Sequence, residues 1–163
     1  QPIVMGRPAG SKSSRLTELR NIMKKGGITA ETSNDIERTL WEKFVFLVGL
    51  SSTTTLMRTT LGPIRRDPES REFLFGVMSE ATNVGRAIGV DLPENFAETR
   101  LEFADGLPSD MTSSMHHDFE AGNKLELPWL AGTVVRLGRE ASIATPVCQT
   151  VCAAVQPKAG GSD

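Results

Sequence analysis

The stretch NDIERTLWEKFVFLVGLSSTTTLMR, residues 34–58, decides the fold of this chain. Its first part mixes charged and apolar residues, whereas residues 44–50 are apolar at every position except Gly49. A helix that is apolar on all sides is buried on all sides. The stretch therefore predicts a central helix around which the other helices of the domain pack.

Lys43 stands at the edge of this apolar block, and the next charged residue along the chain is Arg58. A lysine in that position either extends its ammonium group to the surface or is held partly desolvated for chemistry. The surface interpretation is the commoner one, because structural features often resemble functional ones. The helix alone leaves both interpretations open.

The composition describes an ordinary globular domain, with 39% hydrophobic and 23% charged residues among 163. A net charge of −2 gives no support for a nucleic-acid partner, and the chain lacks the run of about 18 apolar residues that a membrane span needs. Cys148 and Cys152 share one face of a predicted helix, as small core residues do. The opening QPIVMG has no initiator Met and no leader, which predicts a fragment without a signal peptide.

The pattern of secondary structure changes near residue 34. Residues 1–33 contain two short strand-like runs around a helix, which is typical of the tail of an α/β layer. Every later signal is helical. The central helix is predicted to break at Gly62-Pro63, and five further helices are predicted to start at Asp67-Pro68, Asp91, about Ser109, about Glu126 and Thr145-Pro146. We therefore predict a domain tail over 1–33, a helical domain over 34–155 and a frayed tail over 156–163.

Ser114 and Glu126 stand out as polar residues against this helical background. The turn Gly122-Asn123 lies between them, so both side chains can face one cleft at a junction of helices. Each also has a plain structural explanation, as a surface or capping serine and as a glutamate favoured by a helix N-terminus. His116 and His117 are adjacent and point about 100° apart on a helix, so no metal site is predicted.

Three runs of the sequence resemble one family: LWEKF at 40–44, SSMHHDFEAGNKLELPWLAG at 113–132 and IATPVCQTV at 143–151. They are similar to the C-terminal domain of ketopantoate reductase, also called 2-dehydropantoate 2-reductase, and the resemblance extends over residues 3–155. The family's spacing from Ser114 through Asp118 to Glu126 is retained. The resemblance implies an all-α, multi-helix domain of the 6-phosphogluconate dehydrogenase C-terminal-like type, preceded by a short β-α-β remnant of a Rossmann domain.

The resemblance also implies a role for each residue. Lys43 matches the catalytic general acid that protonates the carbonyl oxygen of a 2-oxo acid while NADPH delivers hydride. Glu126 matches the glutamate that contacts the substrate hydroxyl and orients the lysine, and Ser114 matches the serine that binds the substrate carboxylate. Asp118 matches an aspartate to which we assign a structural role. The implied reaction converts ketopantoate to pantoate in pantothenate biosynthesis, in the cytoplasm.

The chain departs from the family pattern at several positions. Leu47 and Ser51 occupy substrate-binding positions that are often asparagine, and Pro128 replaces an aspartate. Leucine removes both hydrogen-bonding groups of the amide, and serine keeps only a hydroxyl. A reductase of another 2-oxo acid therefore remains an alternative, as does a non-catalytic helical module for dimerisation, and a homodimer is one option for the assembly.

The cofactor is expected to be held mainly outside this chain. The family binds NADPH on an N-terminal Rossmann domain through a glycine-rich turn, and no G-x-G-x-x-G occurs among these 163 residues. We therefore predict no cofactor-binding residues here, and no activity for the fragment alone.

Overall fold

The computed structural model describes residues 2–7 and 14–161. Two strands, β1 and β2, and eight α-helices, α1 to α8, make up the regular structure of this described part, together with two short 3₁₀ turns. Their order is β1 Ile3–Met5, α1 Ser14–Lys25, β2 Ala30–Thr32, α2 Ile36–Met57, α3 Leu61–Arg66, α4 Pro68–Ala87, α5 Phe96–Asp105, α6 Ser114–Ala121, the 3₁₀ turn Leu127–Trp129, α7 Ala131–Glu140, α8 Pro146–Val155 and the 3₁₀ turn Gln156–Lys158.

The chain divides into two compact units, Gln1–Glu42 and Lys43–Asp163, and the division falls inside α2. In the first unit β1 and β2 pair in parallel, with Ile3 opposite Ala30 and Met5 opposite Thr32. No residue of α1 is buried, because two short strands offer too little surface to cover a helix. The predicted strand, helix and strand are all present. The domain boundary at residue 33 stays a prediction.

Within residues 43–161 every element of regular structure is a helix or a 3₁₀ turn, which confirms the predicted fold class. The central helix α2 is buried from Val48 to Thr55, as its apolar run predicts. Gly49 lets α2 approach α4 closely, because a Cβ atom there would lie 2.6 Å from Cγ of Met78. The largest fully buried side chains of the unit come from α2 to α4 and from α6 to α8: Leu61, Ile64, Leu74, Met78, Met115, Leu127, Val45, Val48, Val77, Val84, Val134 and Val151.

The ends of two predicted helices differ in the structure. The central helix ends at Met57, where Arg58 adopts a left-handed φ of 51°, and not at Gly62-Pro63. Gly62 and Pro63 instead lie in the first turn of α3, where the missing proline N–H costs no helical hydrogen bond. The helix expected from Ser109 begins only at Ser114, because the Ser113 side chain caps it by accepting a hydrogen bond from the His116 N–H.

The helix predicted to start near Glu126 is divided in two. Glu126 precedes a 3₁₀ turn over Leu127–Trp129, and α7 begins only at Ala131. Leu130 has non-helical angles of φ −102° and ψ −103°, so one continuous helix cannot run from Glu126 into α7. Residues 156–161, where we expected fraying, also form a turn with Ala159 buried. Residues 162 and 163 lie outside the described range.

The N-terminus of α8 is held by a carboxylate from α4. Glu80 is only 8% exposed, and its two oxygens accept the N–H groups of Val147 at 2.7 Å and Cys148 at 2.8 Å. The first N–H groups of a helix have no partner within the helix, and a negative charge there is favoured by the helix dipole. Burial, followed by the nearby Glu80 charge, raises the pKa of the Cys148 thiol. Cys148 is therefore an unreactive core residue, in agreement with the sequence prediction.

Candidate active site

Four residues spaced three or four apart line one face of α2: Lys43, Leu47, Ser51 and Thr54. Their exposure falls steadily along the helix. Lys43 is exposed, Leu47 is 36% exposed, Ser51 is 5% exposed and Thr54 is fully buried. This face, which we call the Lys43 face, therefore leads from solvent at the lysine into the core at the threonine.

The buried end of the Lys43 face contacts the N-terminus of α6. The hydroxyl groups of Thr54 and Ser113 lie 3.0 Å apart in a hydrogen bond, and the Ser113 oxygen also accepts the His116 N–H at 3.1 Å. Ser113 is thus committed to capping α6. Ser114, the next residue, is exposed at the first position of the helix. Ser113 therefore caps α6, whereas the role of the exposed Ser114 in substrate binding stays a prediction.

The loop after α6 carries Glu126. Gly122 ends α6 in a left-handed conformation with φ 71°, which glycine adopts without steric cost. Asp118 then receives two hydrogen bonds from Asn123, one to its backbone carbonyl at 2.8 Å and one to its carboxylate at 3.1 Å. These bonds fit the structural role assigned to Asp118. The Glu126 side chain is exposed, and Trp129 in the following turn is 76% exposed.

One hydrogen bond connects the Lys43 face to the start of α6. Ser114 follows Ser113, whose hydroxyl contacts Thr54, and Ser51 lies about one helical turn before Thr54. No ion pair joins Lys43 to Glu126 within residues 2–7 and 14–161. The exposed ammonium agrees with the surface interpretation of Lys43 for the chain by itself. Its chemical role stays a prediction.

Sequence reasoning missed Thr54 as the residue that joins α2 to α6. Its distance of 11 residues from Lys43 corresponds to three helical turns, so the helical period could have placed it on the Lys43 face. Its partner Ser113 lies 59 residues away in the sequence. No pattern in a single sequence indicates a pairing at that separation.

His116, in the first turn of α6, gives a testable dependence on pH. Its side chain is only 12% exposed, and burial is the largest influence lowering its pKa, against an opposing effect of Glu120. The folded state thus favours the neutral imidazole, and its contribution to stability is lost as pH falls through the ordinary histidine range. We expect the thermal midpoint of the wild type to fall more steeply on acidification than that of His116→Gln.

The matched control for this pH series is His117→Gln, because His117 is the exposed neighbour on the same helix. Because the His117 charge also helps to lower the pKa of His116, this variant should keep the direction of the wild-type profile, with a midpoint that falls on acidification. The thermal midpoint is measured by circular dichroism at a series of pH values across the ordinary range of histidine titration. If the midpoints of the wild type and His116→Gln fall in parallel, the buried His116 imidazole is not the cause of the pH dependence.

A metal site and a dinucleotide site each require a particular set of residues. Within the part of the chain that the structure describes, no group of three or more His, Cys, Asp or Glu side chains could hold a metal ion. The two strands are short, and the sequence contains no glycine-rich G-x-G-x-x-G turn to cradle a pyrophosphate. That this chain holds no dinucleotide site by itself stays a prediction. No helix in the described ranges has the length and apolar character needed to cross a membrane.

Comparison with known proteins decides the family. The family model described as "Ketopantoate reductase PanE/ApbA C terminal" matches residues 35–159, which include all of α2 to α8. The chain belongs to the ketopantoate reductase family. It corresponds to the C-terminal domain of this family of oxidoreductases, and the resemblance stated from the sequence is confirmed.

Relatives in the ketopantoate reductase family show how much of a complete protein the chain represents. It is 31% identical to the 2-dehydropantoate 2-reductase of Mesorhizobium japonicum over 93% of this chain and 46% of the relative. It is 29% identical to that of Halobacterium salinarum, over 90% of this chain and 48% of the relative. The chain thus spans about half the length of these relatives.

A solved structure of a dimeric ketopantoate reductase from Staphylococcus aureus has the same fold. The TM-score is 0.85 at 22% identity, and the match covers 98% of this chain and 55% of the other. At this identity the likeness establishes the fold and not the substrate or the assembly.

Proposed function

We propose that the protein containing this chain is an NADPH-dependent 2-dehydropantoate 2-reductase. It reduces ketopantoate to pantoate in pantothenate biosynthesis, in the cytoplasm and as a homodimer, and this chain is its substrate-binding half. The observation that carries the proposal is the Lys43 face of α2, which joins the exposed lysine to the capped start of α6 and its free Ser114. Family membership supplies the reaction type.

Each of three side chains has a separate task in this proposal. The Lys43 ammonium donates a proton to the carbonyl oxygen of the 2-oxo acid as that carbon is reduced. The Ser114 hydroxyl donates a hydrogen bond to the substrate carboxylate, and its place at the start of α6 adds the favourable dipole of a helix N-terminus. Glu126 accepts a hydrogen bond from the substrate hydroxyl and, once the site closes, orients Lys43. All three side chains are exposed and therefore open to a ligand.

The hydride comes from NADPH in this proposal, and residues outside this chain bind that cofactor. The lack of a glycine-rich turn here supports this division of labour. The chain alone should therefore be inactive, because it holds a proton donor without a hydride donor.

The experiment that tests the proposal is NADPH oxidation by the full-length protein with ketopantoate, followed by absorbance. Turnover that requires both ketopantoate and the full-length protein supports the reductase. The 163-residue chain assayed alone is the control, and it should give no rate above background. Absence of turnover with every 2-oxo acid tested would favour a non-catalytic dimerisation module instead.

A second candidate function follows from Leu47. This apolar, 36% exposed side chain lies one helical turn from Lys43 on the same face. A leucine cannot hydrogen-bond a substrate hydroxyl, and it favours a hydrocarbon substituent. The alternative is a reductase for a 2-oxo acid with an apolar side chain, such as 2-oxoisovalerate.

Replacing Leu47 by Asn tests this substrate choice. We expect Leu47→Asn to lower kcat/KM for 2-oxoisovalerate by about tenfold and to raise it for ketopantoate, because the amide can bond the hydroxyl. Phe46→Leu, on a different face of α2, is the matched control and should leave the ratio of the two activities unchanged. If Leu47→Asn leaves that ratio as in the wild type, Leu47 does not contact the substrate.

A further inference from the structure

The loop that carries Glu126 has no regular structure of its own. Residues 123–126 form neither helix nor strand, and the 3₁₀ turn begins only at Leu127. The loop leaves α6 through the left-handed Gly122. Local bonds hold its two ends, from Asn123 to Asp118 and from the Trp129 N–H to the Glu126 carbonyl, so the part between them depends on contacts with other segments.

The segment 156–161, which follows α8, holds the loop directly. The Leu125 N–H, one residue before Glu126, donates a hydrogen bond to the Ala159 carbonyl at 3.0 Å. Both Leu125 and Ala159 are buried, so this bond is shielded from water.

Gly161 makes a second contact between the same two segments. Its φ is +90°, and a Cβ atom on it would lie 3.1 Å from the Gly122 oxygen and 3.2 Å from the Lys124 nitrogen. Those two atoms belong to the loop backbone, which cannot rotate away as a side chain could. By contrast, a Cβ on the neighbouring Gly160 would meet no atom within 4 Å.

A third contact fixes the segment to α6. The Lys158 ammonium lies 4.9 Å from the centroid of the Phe119 ring, within the range of a cation–π interaction. Phe119 belongs to the last turn before Gly122. The segment 156–161 thus touches the helix before the loop and the loop itself.

From these contacts we infer that segment 156–161 is a positioning element for Glu126, acting through the Leu125 hydrogen bond. The inference rests on the proposed function of Glu126 in substrate binding. A catalytic group displaced by about 1 Å can lose a large part of its effect on rate. The segment itself touches no reacting atom, so none of its residues is catalytic.

The test compares Gly161→Ala with Gly160→Ala in the full-length protein, because the two changes add the same methyl group one residue apart. Gly161→Ala should push the loop away and lower kcat/KM for the 2-oxo acid about tenfold. Gly160→Ala should stay within about twofold of the wild type, since its methyl group meets open space. Similar kinetics for the two variants would overturn the inference.

The same two changes in a Glu126→Ala background separate positioning from general damage. If Gly161 acts through Glu126, Gly161→Ala should have almost no further effect once that carboxylate is gone. An equal tenfold loss in both backgrounds would mean a merely structural role and would overturn the inference.

The kcat/KM of Glu126→Ala alone distinguishes an error in the proposed role of Glu126 from an error in the proposed role of segment 156–161. If Glu126→Ala keeps the wild-type kcat/KM, the proposed role of Glu126 is wrong and kinetics no longer report on the loop. Hydrogen–deuterium exchange at the Leu125 amide then decides. Faster exchange of this amide in Gly161→Ala than in Gly160→Ala would support the inference that segment 156–161 positions the loop. Equal exchange in the two variants would overturn that inference.

Discussion

Lys43→Ala should lower kcat of the full-length protein by a factor of about 10² to 10⁴, the range that a general acid contributes. The alanine removes the only proton donor that we assign to the carbonyl oxygen, while the Ser51 and Thr54 end of the Lys43 face stays in place. Because Lys43 is exposed in this chain, its loss should leave the thermal midpoint almost unchanged. The measurement is steady-state NADPH oxidation with thermal unfolding of the same samples.

Two further variants make the Lys43 experiment specific. Lys43→Arg keeps the positive charge but not a readily released proton, so the variant should still bind the substrate and turn it over slowly. Lys25→Ala removes an exposed lysine from the end of α1 and should retain wild-type activity. If Lys43→Ala keeps more than about a tenth of the wild-type kcat, the general acid is another group.

Glu80→Ala should lower the free energy of unfolding by about 2–4 kcal/mol. The variant loses the carboxylate that accepts two hydrogen bonds, and it leaves the donating N–H groups of Val147 and Cys148 without that partner. It also removes buried side-chain volume between α4 and α8, which adds to the cost. Chemical denaturation of the 163-residue chain measures the change.

Two control variants on α4 distinguish the loss of the Glu80 carboxylate from the change in helix propensity that any Glu→Ala substitution causes. Glu72→Ala replaces an exposed glutamate of α4 and should change the free energy of unfolding by no more than about 0.5 kcal/mol. Glu80→Gln keeps one acceptor oxygen but turns an amide N–H toward a backbone N–H. Its effect on the free energy of unfolding should therefore lie between those of Glu72→Ala and Glu80→Ala. Equal stabilities of Glu72→Ala and Glu80→Ala would show that the bonds to α8 contribute nothing net.

The sequence predicted a helix correctly where the deciding interactions join residues that are close together in the chain. The apolar run after Lys43 predicted the buried α2, and Asp67 followed by Pro68 predicted the start of α4, where the Asp67 side chain accepts the Ser70 N–H. The same logic failed at Glu126, because a proline in the second position of a turn fits both an α-helix and a 3₁₀ turn. The backbone angles of Leu130 decided between them.

The contacts that organise the candidate site could not be predicted from one sequence. Thr54 meets Ser113 across 59 residues, and Glu80 meets Val147 across 67. Such pairings depend on how whole helices pack, and neither the helical period nor capping preferences specify them. Lys43, Ser114 and Glu126 stood out in the sequence pattern, but the roles we predict for them came from family resemblance. Their residue types alone would have left each with a plain structural explanation.

The exposed indole of Trp129 is an intrinsic fluorophore in the turn that follows Glu126. It stands three residues after Glu126 and is 76% exposed, whereas Trp41, the other tryptophan of the chain, is partly covered. The emission of an indole depends on the polarity of its surroundings, so we expect Trp129 to emit as a hydrated fluorophore while the loop is open to water. A ligand or protein surface that covers both Glu126 and Trp129 should dehydrate this ring, and the shift in emission would then report on occupancy of the proposed site.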